Sequence, residues 1–325
     1  MTKLPRFPLA HLPTPVEPME RLDKVIRGPR LWVKRDDQTG LALGGNKTRK
    51  LETLVAHALD IGADTLVTVG AQQSNHCRQT AAAAAKAGLA STLVLRGHSA
   101  DRPGGNRLLD TLLGATVVDA GTNDPLMVMK TVVEEMIKQG KRPYAIPYGG
   151  SNAIGAAAYA HALEEVMAQG QFDRIVVASS SAGTQAGLVA GAKLLGFEGT
   201  ITGISIDMEK GALAAEVARI ATDVSVALGS PQTFPVDTIE VIDAYLGSGY
   251  GVMGELEREA VFLFAKTEGL LLDPVYTGRA AGGMLDLIRT GFIKPTERVL
   301  FWHTGGAPAL FAYAEELLDK RGATL

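Results

Sequence analysis

Short apolar runs alternate with segments of helical periodicity along most of the chain. Residues 65–69 form one such run between Gly62 and Gly70, and the preceding residues 50–61 place leucine and valine at helical spacing. Continuous apolar runs of this length are typical of strands that a parallel sheet buries on both faces. The pattern therefore predicts β-strands that alternate with α-helices.

The alternation falls into two series that have different loops. The first series predicts about four β-loop-α repeats between residues 50 and 147. The second predicts strands at residues 174–178, 200–206, 238–242 and 298–303. A short strand at 31–34 and a proline-rich, extended arm at 4–21 are expected to join the second series. The whole pattern predicts an α/β fold with two open, twisted, mostly parallel sheets flanked by helices.

Two domains are expected from the two series. A large domain is assigned residues 1–47 together with 156–325, and a small α/β domain is assigned residues 48–155. Ligands of open α/β sheets bind at the carboxyl ends of the strands. The glycine-rich loops lie at those ends, so they are the candidate sites.

Composition narrows the classes of function. The chain has 325 residues, 46% hydrophobic and 21% charged, with a net charge of −3 and no long basic run, so neither nucleic acid nor an anionic membrane is expected as a partner. It has no apolar run of about 18 residues and no apolar leader, so neither a membrane span nor secretion is expected. Cys77 is the single cysteine, which excludes an intrachain disulfide and favours a cytoplasmic location.

A lysine follows two glycines in the segment Gly-Gly-Asn-Lys-Thr-Arg-Lys at residues 44–50. Three cations, Lys47, Arg49 and Lys50, stand at the start of a predicted helix, where the helix dipole disfavours positive charge, so an anion or a special role is expected. A P-loop would place the lysine directly after the last glycine, whereas Asn46 intervenes here. Three hypotheses remain: a lysine that grips a phosphate, one that bonds to a carbonyl group, or a surface lysine.

Two further loops combine small and polar residues between a strand and a helix. The segment Ser-Ser-Ser-Ala-Gly-Thr at residues 179–184 lets a ligand approach the backbone at a helix N-terminus, which is typical of a phosphate cradle. Ser74, Asn75 and His76 offer side-chain donors and backbone N–H groups that suit a substrate carboxylate. For His76 alone, a role as a helix-capping residue is an equal alternative.

Tyrosine and threonine side chains occupy the remaining loops. Tyr250 lies between two glycines, and Tyr276 follows Asp-Pro-Val; near a cation, the pKa of a buried tyrosine falls enough for acid–base work. Thr304 follows the last predicted strand and is placed to contact a ligand, whereas His303 can be a core residue. No group of residues has metal-ligand spacing. A lysine, a separate phosphate cradle and no metal together indicate pyridoxal phosphate.

Over nearly its whole length the chain resembles the family of D-cysteine desulfhydrase and 1-aminocyclopropane-1-carboxylate deaminase. These are pyridoxal-phosphate enzymes of fold type II, the tryptophan-synthase β-type fold. The matching stretches are residues 12–15, 34–37, 44–52, 73–80, 181–187, 249–251, 272–278 and 303–310. The resemblance implies a cofactor in the cleft between the two domains, a small amino-acid substrate and a homodimer.

The resemblance also implies how the cofactor is held. Lys47 would form the Schiff base with the cofactor, and Asn75 would hydrogen-bond its phenolic oxygen. Lys50 would lie near the phosphate, and Thr304 would contact the ring. The phosphate would be held through the backbone of Ala182, Gly183 and Thr184.

For the substrate, the resemblance implies that Ser74, Asn75 and His76 receive the carboxylate. Tyr250 and Tyr276 would flank the reacting atoms. The catalytic residues would then be Lys47, Tyr276, Ser74 and Tyr250.

Thr277 and Thr304 separate the two branches of the family. The deaminases have glutamate and leucine at these positions, and a carboxylate near the pyridine nitrogen would make a stronger electron sink than a threonine does. A weaker sink suffices for β-elimination, whereas opening a cyclopropane ring demands more. Thr277 is also expected to contact the substrate.

The resemblance therefore implies β-elimination from D-cysteine to pyruvate, hydrogen sulfide and ammonia, with Lys47 or Tyr276 removing the Cα proton. The alternatives are an L-cysteate sulfo-lyase, a 1-aminocyclopropane-1-carboxylate deaminase and, from another class, a P-loop-like nucleotide-binding protein. The loop at residues 97–106 is shorter than expected for this family, which bears on substrate preference.

Overall fold

Two sheets organise the structure, a computed structural model that describes residues 1–96 and 104–318. The strands within these residues are β1 Val16–Pro18, β2 Arg30–Arg35, β3 Thr65–Ala71, β4 Ala90–Arg96, β5 Thr116–Asp119, β6 Pro143–Ala145, β7 Arg174–Ser179, β8 Thr200–Ser205, β9 Val241–Ile242 and β10 Arg298–His303. The large sheet has the order β1-β2-β10-β7-β8-β9, and the small sheet has the order β5-β4-β3-β6. All neighbouring strands are parallel except β1 and β2.

Helices follow most of the strands and cover the sheets. They are α1 Glu20–Ile26, α2 Lys47–Asp60, α3 Asn75–Ala87, α4 Gly105–Leu112, α5 Pro125–Lys138, α6 Ala153–Gln169, α7 Gly183–Leu195, α8 Lys210–Ala227, α9 Glu255–Glu268, α10 Thr277–Arg289, α11 Pro308–Ala312 and α12 Ala314–Leu318. In residues 1–96 and 104–318, no helix combines the length and apolar character needed to cross a membrane.

The predicted α/β fold with two mostly parallel sheets is confirmed. The first predicted series forms the small sheet, and the second forms the large sheet together with β2. The extended arm contributes β1 to the large sheet, as expected, but it ends earlier than predicted because α1 begins at Glu20. The exact domain limits stay a prediction.

Several helices begin earlier than their apolar periodicity indicates, and three of them carry predicted site residues. The predicted starts were residues 50, 78 and 185, whereas α2 begins at Lys47, α3 at Asn75 and α7 at Gly183. Polar residues in a first turn carry no apolar periodicity, so the pattern missed these turns. As a result, residues predicted in loops lie on helix N-termini, where backbone N–H groups lack intrahelical acceptors.

Close contact between α6 and α7 places the N-terminus of α7. A Cβ atom on Gly187 would lie 2.1 Å from the carbonyl oxygen of Ala156, and one on Gly191 would lie 2.8 Å from the Cα of Ala160. Only glycine allows this separation between the two helix backbones. The first turn of α7 is therefore held against the start of α6.

A buried ionic network ties α2 to the large sheet. The Arg49 guanidinium donates to Asp36 Oδ1 at 2.9 Å and to Glu165 Oε1 at 3.0 Å. Asp36 is fully buried and also accepts from the Tyr159 hydroxyl at 2.6 Å and from the Trp302 indole N–H at 2.9 Å. Although burial by itself would raise it, the pKa of Asp36 is held below its usual value by Arg49. Arg49 is therefore neutralised by carboxylates of the protein. It does not need the further anion that was expected for Lys47, Arg49 and Lys50 together.

Replacing Asp36 by asparagine tests this network. We expect Asp36→Asn to lower the free energy of unfolding by about 3 kcal/mol or more, because a buried guanidinium loses one of its two counter-charges. Chemical denaturation measures the loss. The matched control is Glu216→Gln, which breaks an exposed pair with Arg219 and should cost less than about 1 kcal/mol. Equal losses for the two variants would contradict this account.

Candidate active site

A cavity lies at the carboxyl ends of the strands, beside the start of α2. Most of the predicted site residues line it, whereas Lys50, Gly183, Tyr250 and Thr277 do not. The lining residues are Asn46, Lys47, Ser74, Asn75, His76, Tyr148, Gly149, Ala178, Ser179, Ser180, Ser181, Ala182, Thr184, Tyr276 and Thr304. Apart from Asn46, Lys47 and Tyr276, they lie at or just after the carboxyl ends of strands. These strands are β3 and β6 of the small sheet and β7 and β10 of the large sheet.

Lys47 is the first residue of α2 and lines the cavity. The glycine loop before it passes close to the loop after β10: a Cβ on Gly305 would lie 2.7 Å from the Cα of Gly45. Lys47 Nζ donates to Asn46 Oδ1 at 3.1 Å. Burial lowers the pKa of Lys47 to about 8, which leaves a substantial fraction of the amine neutral near physiological pH.

Lys50 lies one turn after Lys47 and is completely surrounded by protein. Its Nζ donates to the Gly149 carbonyl at 3.1 Å and to Ser151 Oγ at 3.3 Å, both uncharged acceptors. Burial, and then the charge of Lys47, lower the pKa of Lys50 well below its usual value. A bound anion at this position would relieve the cost of burying the ammonium group.

The loop from Ser179 to Thr184 meets Lys50 at the N-terminus of α7. Ala182 has a positive φ of 61°, which a non-glycine residue rarely adopts, and it turns the chain into the helix. A Cβ on Gly183 would lie 2.4 Å from Ser151 Oγ and 2.7 Å from Ser151 Cβ, so only glycine lets the backbone come this close to Ser151 and Lys50. Small residues, helix N–H groups and a buried lysine together fit a phosphate.

Ser151 also belongs to this phosphate cradle, although the sequence patterns did not identify it. Its hydroxyl accepts from the backbone N–H of Gly183 at 3.3 Å and donates to Ser181 Oγ at 2.9 Å, in addition to its contact with Lys50. It follows Tyr148-Gly149-Gly150 after β6. The glycine pair after β6 was the sequence signal that could have identified Ser151.

The turn after β3 becomes the first turn of α3. Ser74, not His76, caps the helix: its Oγ accepts from the backbone N–H of Cys77 at 3.1 Å. His76 lines the cavity, and its Nε2 is 2.9 Å from Thr68 Oγ1. Burial, followed by the charges of Lys47 and Lys50, lowers the pKa of His76 well below its usual value, so its imidazole is neutral.

A group of three tyrosines stands beside the cavity. The hydroxyls of Tyr250 and Tyr276 are 2.6 Å apart, and Tyr276 lines the cavity. Burial raises the pKa of both well above the usual value, so the expectation of lowered tyrosine pKa values was wrong. Tyr148, the third member, interacts with both and was missed, although it too follows a strand and precedes a glycine pair.

Thr277 and Thr304, which separate the two branches of the family, have different environments. Thr304 lines the cavity. Thr277, by contrast, is fully buried, and its hydroxyl donates to Asp273 Oδ1 at 2.7 Å within the turn that starts α10. The structure therefore gives no support to a substrate contact by Thr277, because its polar group is used locally. Of the two threonines, Thr304 is the one placed to contact a ligand.

Two other predictions concern the loop at residues 97–106 and metal binding. Most of the loop at residues 97–106 lies outside them, so its length has no structural counterpart here. Within residues 1–96 and 104–318, no group of three or more histidine, cysteine, aspartate or glutamate side chains is arranged to hold a metal ion.

Comparisons with known proteins agree with the cavity's chemistry. A family model described as pyridoxal-phosphate dependent enzyme matches residues 8–305. A D-cysteine desulfhydrase of Yersinia pestis (strain Pestoides F) is 43% identical over 323 residues, covering 96% of this chain and 97% of the relative. One from Salmonella typhi is 44% identical over 324 residues, with the same coverage of 96% and 97%.

Solved structures agree on the fold. A crystal structure described as an ACC deaminase homologue has a TM-score of 0.90 and 37% identity, and covers 97% of this chain and 96% of its own. A threonine deaminase from Solanum lycopersicum, 13% identical with a TM-score of 0.69, shares the fold over 97% of this chain and 89% of its own.

The lowered pKa of Lys47 has a measurable consequence in protein freed of bound small molecules. A lysine is nucleophilic when neutral, that is, above its pKa, so acylation of Lys47 by acetic anhydride should rise with pH to a midpoint of about 8. Peptide mass spectrometry measures the labelled fraction. In the denatured protein, which is the control, the midpoint should move to about 10.4. The same midpoint in both states would show that burial does not act on this amine.

Proposed function

We propose a function for this chain from one premise, that it belongs to the family of pyridoxal-phosphate dependent enzymes. It is a carbon–sulfur lyase that converts D-cysteine and water into pyruvate, hydrogen sulfide and ammonia. The observation that supports this most directly is a pair of lysines on one turn of α2, the partly buried Lys47 and the fully buried Lys50, beside a phosphate cradle. The P-loop hypothesis is abandoned, because the family is a different one and a 3₁₀ turn rather than a strand precedes the glycines.

The residues around the cavity fit pyridoxal phosphate. When bound, this cofactor supplies an aldehyde that bonds to amines and a ring that accepts electrons. Lys47 offers the partly neutral amine that such a bond requires. Lys50 and the backbone of Ala182, Gly183 and Thr184 would hold the phosphate, and Asn75 and Thr304 would contact the ring.

Proton transfer is assigned to Lys47. Removal of the Cα proton needs a base with a neutral fraction near physiological pH, and the pKa of Lys47, lowered by burial to about 8, provides one. Tyr276 keeps its proton because its pKa is raised, so it acts as a hydrogen-bond donor to the departing sulfur. Tyr250 supports it through the contact of the two hydroxyls.

The substrate carboxylate is assigned to the first turn of α3. Ser74, Asn75 and His76 line the cavity there, and helix N-termini attract anions. His76 is neutral, and its Nε2–H donates to Thr68 Oγ1, because the Thr68 hydroxyl gives its own proton to the Ile146 carbonyl. His76 therefore lines this part of the cavity without adding a charge, and Ser74 and Asn75 supply the donors. The carboxylate is thus bound by N–H and O–H donors.

Two features favour D-cysteine over the alternative substrates. Among the described residues that line the cavity there is no arginine, the side chain best suited to pair with the sulfonate of L-cysteate. Thr304 offers a neutral contact to the ring, which favours elimination over opening of a cyclopropane. The full-length relatives named D-cysteine desulfhydrase support the same choice.

A substrate panel tests the proposal. Purified protein with added pyridoxal phosphate should show a visible absorbance band and release pyruvate and sulfide in equal amounts from D-cysteine. L-cysteate should give little sulfite, and 1-aminocyclopropane-1-carboxylate little 2-oxobutanoate. Sulfite release from L-cysteate at a higher kcat/KM would replace the substrate but keep the lyase. A protein without the visible band would overturn the cofactor.

Two substitutions separate the proposed roles of lysine and tyrosine. Lys47→Ala should lower kcat/KM for D-cysteine by about 10²–10⁴-fold or more, since it removes the general base. It should also abolish the phosphopyridoxyl-peptide that borohydride reduction produces. Tyr276→Phe should lower kcat while leaving that labelled peptide in place. Lys86→Ala, on the exposed side of α3, is the control and should change neither. Labelling that persists in Lys47→Ala would refute the assignment of this lysine.

The cellular location and the oligomeric state are part of the same proposal. A cytoplasmic location agrees with a single, buried cysteine. A homodimer is what the resemblance to the desulfhydrase and deaminase family supports. Light scattering on the purified protein measures the mass in solution.

A further inference from the structure

Asn106 connects helix α4 to the turn that carries Asn75. It is fully buried, and its backbone N–H donates to Gln73 Oε1 at 2.9 Å. Its side-chain Nδ2 donates to the Gln73 carbonyl and to Asn75 Oδ1, each at 2.9 Å. Its Oδ1 accepts from Arg78 Nη1 at 3.1 Å. Each polar atom of the Asn106 side chain therefore has a partner.

Arg78 determines which way the Asn106 amide faces. A guanidinium can only donate hydrogen bonds, so the oxygen of Asn106 must point toward Arg78 and its NH₂ group toward Asn75. Asn75 then presents its own oxygen to Asn106 and its NH₂ group to the cavity that it lines. The direction of one amide is thus transmitted to the next.

Arg78 is itself held in place. It is fully buried, and its Nη2 donates to the carbonyl of Gly44 at 2.6 Å, in the glycine loop that precedes Lys47. The same guanidinium therefore supports both the loop before Lys47 and, through Asn106, the amide of Asn75. No group in this chain of contacts except Asn75 lines the cavity.

We propose that Asn106, oriented by Arg78, is a positioning residue that makes Asn75 a hydrogen-bond donor to the ligand in the cavity. The inference rests on the proposed function, in which Asn75 meets the phenolic oxygen of pyridoxal phosphate. A donor at that oxygen favours its ionised form. Asn106 therefore tunes the charge of the cofactor ring without touching it.

Asn106→Asp keeps nearly the same side-chain shape but reverses the direction of the hydrogen bond between residue 106 and Asn75. The new carboxylate pairs with Arg78 but cannot donate to Asn75, so the Asn75 amide turns its NH₂ group toward residue 106 and its oxygen toward the cavity. We expect the pH midpoint of the visible spectrum of the bound cofactor to rise by about one unit or more. Cofactor affinity should fall by about 10- to 100-fold, as expected for losing a hydrogen bond to a charged oxygen.

Asn106→Ala distinguishes positioning from simple structural support. Alanine leaves Asn75 able to rotate and still donate, so the spectrum should shift less than in Asn106→Asp, although the protein should be less stable because Arg78 loses a partner. If Asn106 has a purely structural role, Asn106→Ala should instead show both the larger spectral shift and the larger loss of stability. Thermal unfolding of the cofactor-free variants records the stability separately.

Asn75→Ala completes the test as a double-mutant cycle. If Asn106 acts through Asn75, adding Asn106→Asp to Asn75→Ala should cause no further spectral shift. An additional shift, or no shift in Asn106→Asp alone, would overturn the inference while the lyase proposal stands. A parent protein that binds no pyridoxal phosphate would overturn both together.

Discussion

The desolvation of two lysine side chains is the constraint on which this site depends. Lys47 and Lys50 stand on the first turn of α2, and burial lowers the pKa of each. The hydrogen-bond acceptors of Lys50 are uncharged, so its desolvation is not repaid within the protein. In the proposed function, a ligand that carries a phosphate and an aldehyde would meet both conditions, because the phosphate would pair with Lys50 and the aldehyde would bond to the neutral fraction of Lys47.

Helix geometry explains why one turn can carry these lysines and also anchor the helix. Residues three apart share a helix face, so Lys47 lies at the cavity and Lys50 lies beside it, at Gly149 and Ser151. Arg49 lies on the other side, where Asp36 and Glu165 neutralise it in the large-sheet half of the molecule. The three cations are therefore two sets with different tasks, one chemical and one structural. Their separation keeps the structural charges away from the reacting groups.

Much of the fold and the main elements of the site could be predicted from the sequence. Apolar periodicity reports which face of an element is buried, so it located the strands and most helices. A glycine pair before a helix located Lys47, and strand–helix turns of small and polar residues located the cradle and the turn at Ser74. The polar first turns of α2, α3 and α7 escaped prediction, because residues that face a ligand carry no apolar signal.

By itself, the sequence determined the α/β alternation, the position of the glycine loops and the family resemblance that points to Lys47. Only the tertiary structure decided that Arg49 is neutralised by protein carboxylates, that Thr277 is used within its own turn, and that the pKa of Tyr276 is raised. It also brought Asn106 to Asn75. The physical reason is the same throughout: local pattern specifies burial and direction, whereas the partner of a polar group is chosen by packing between distant segments.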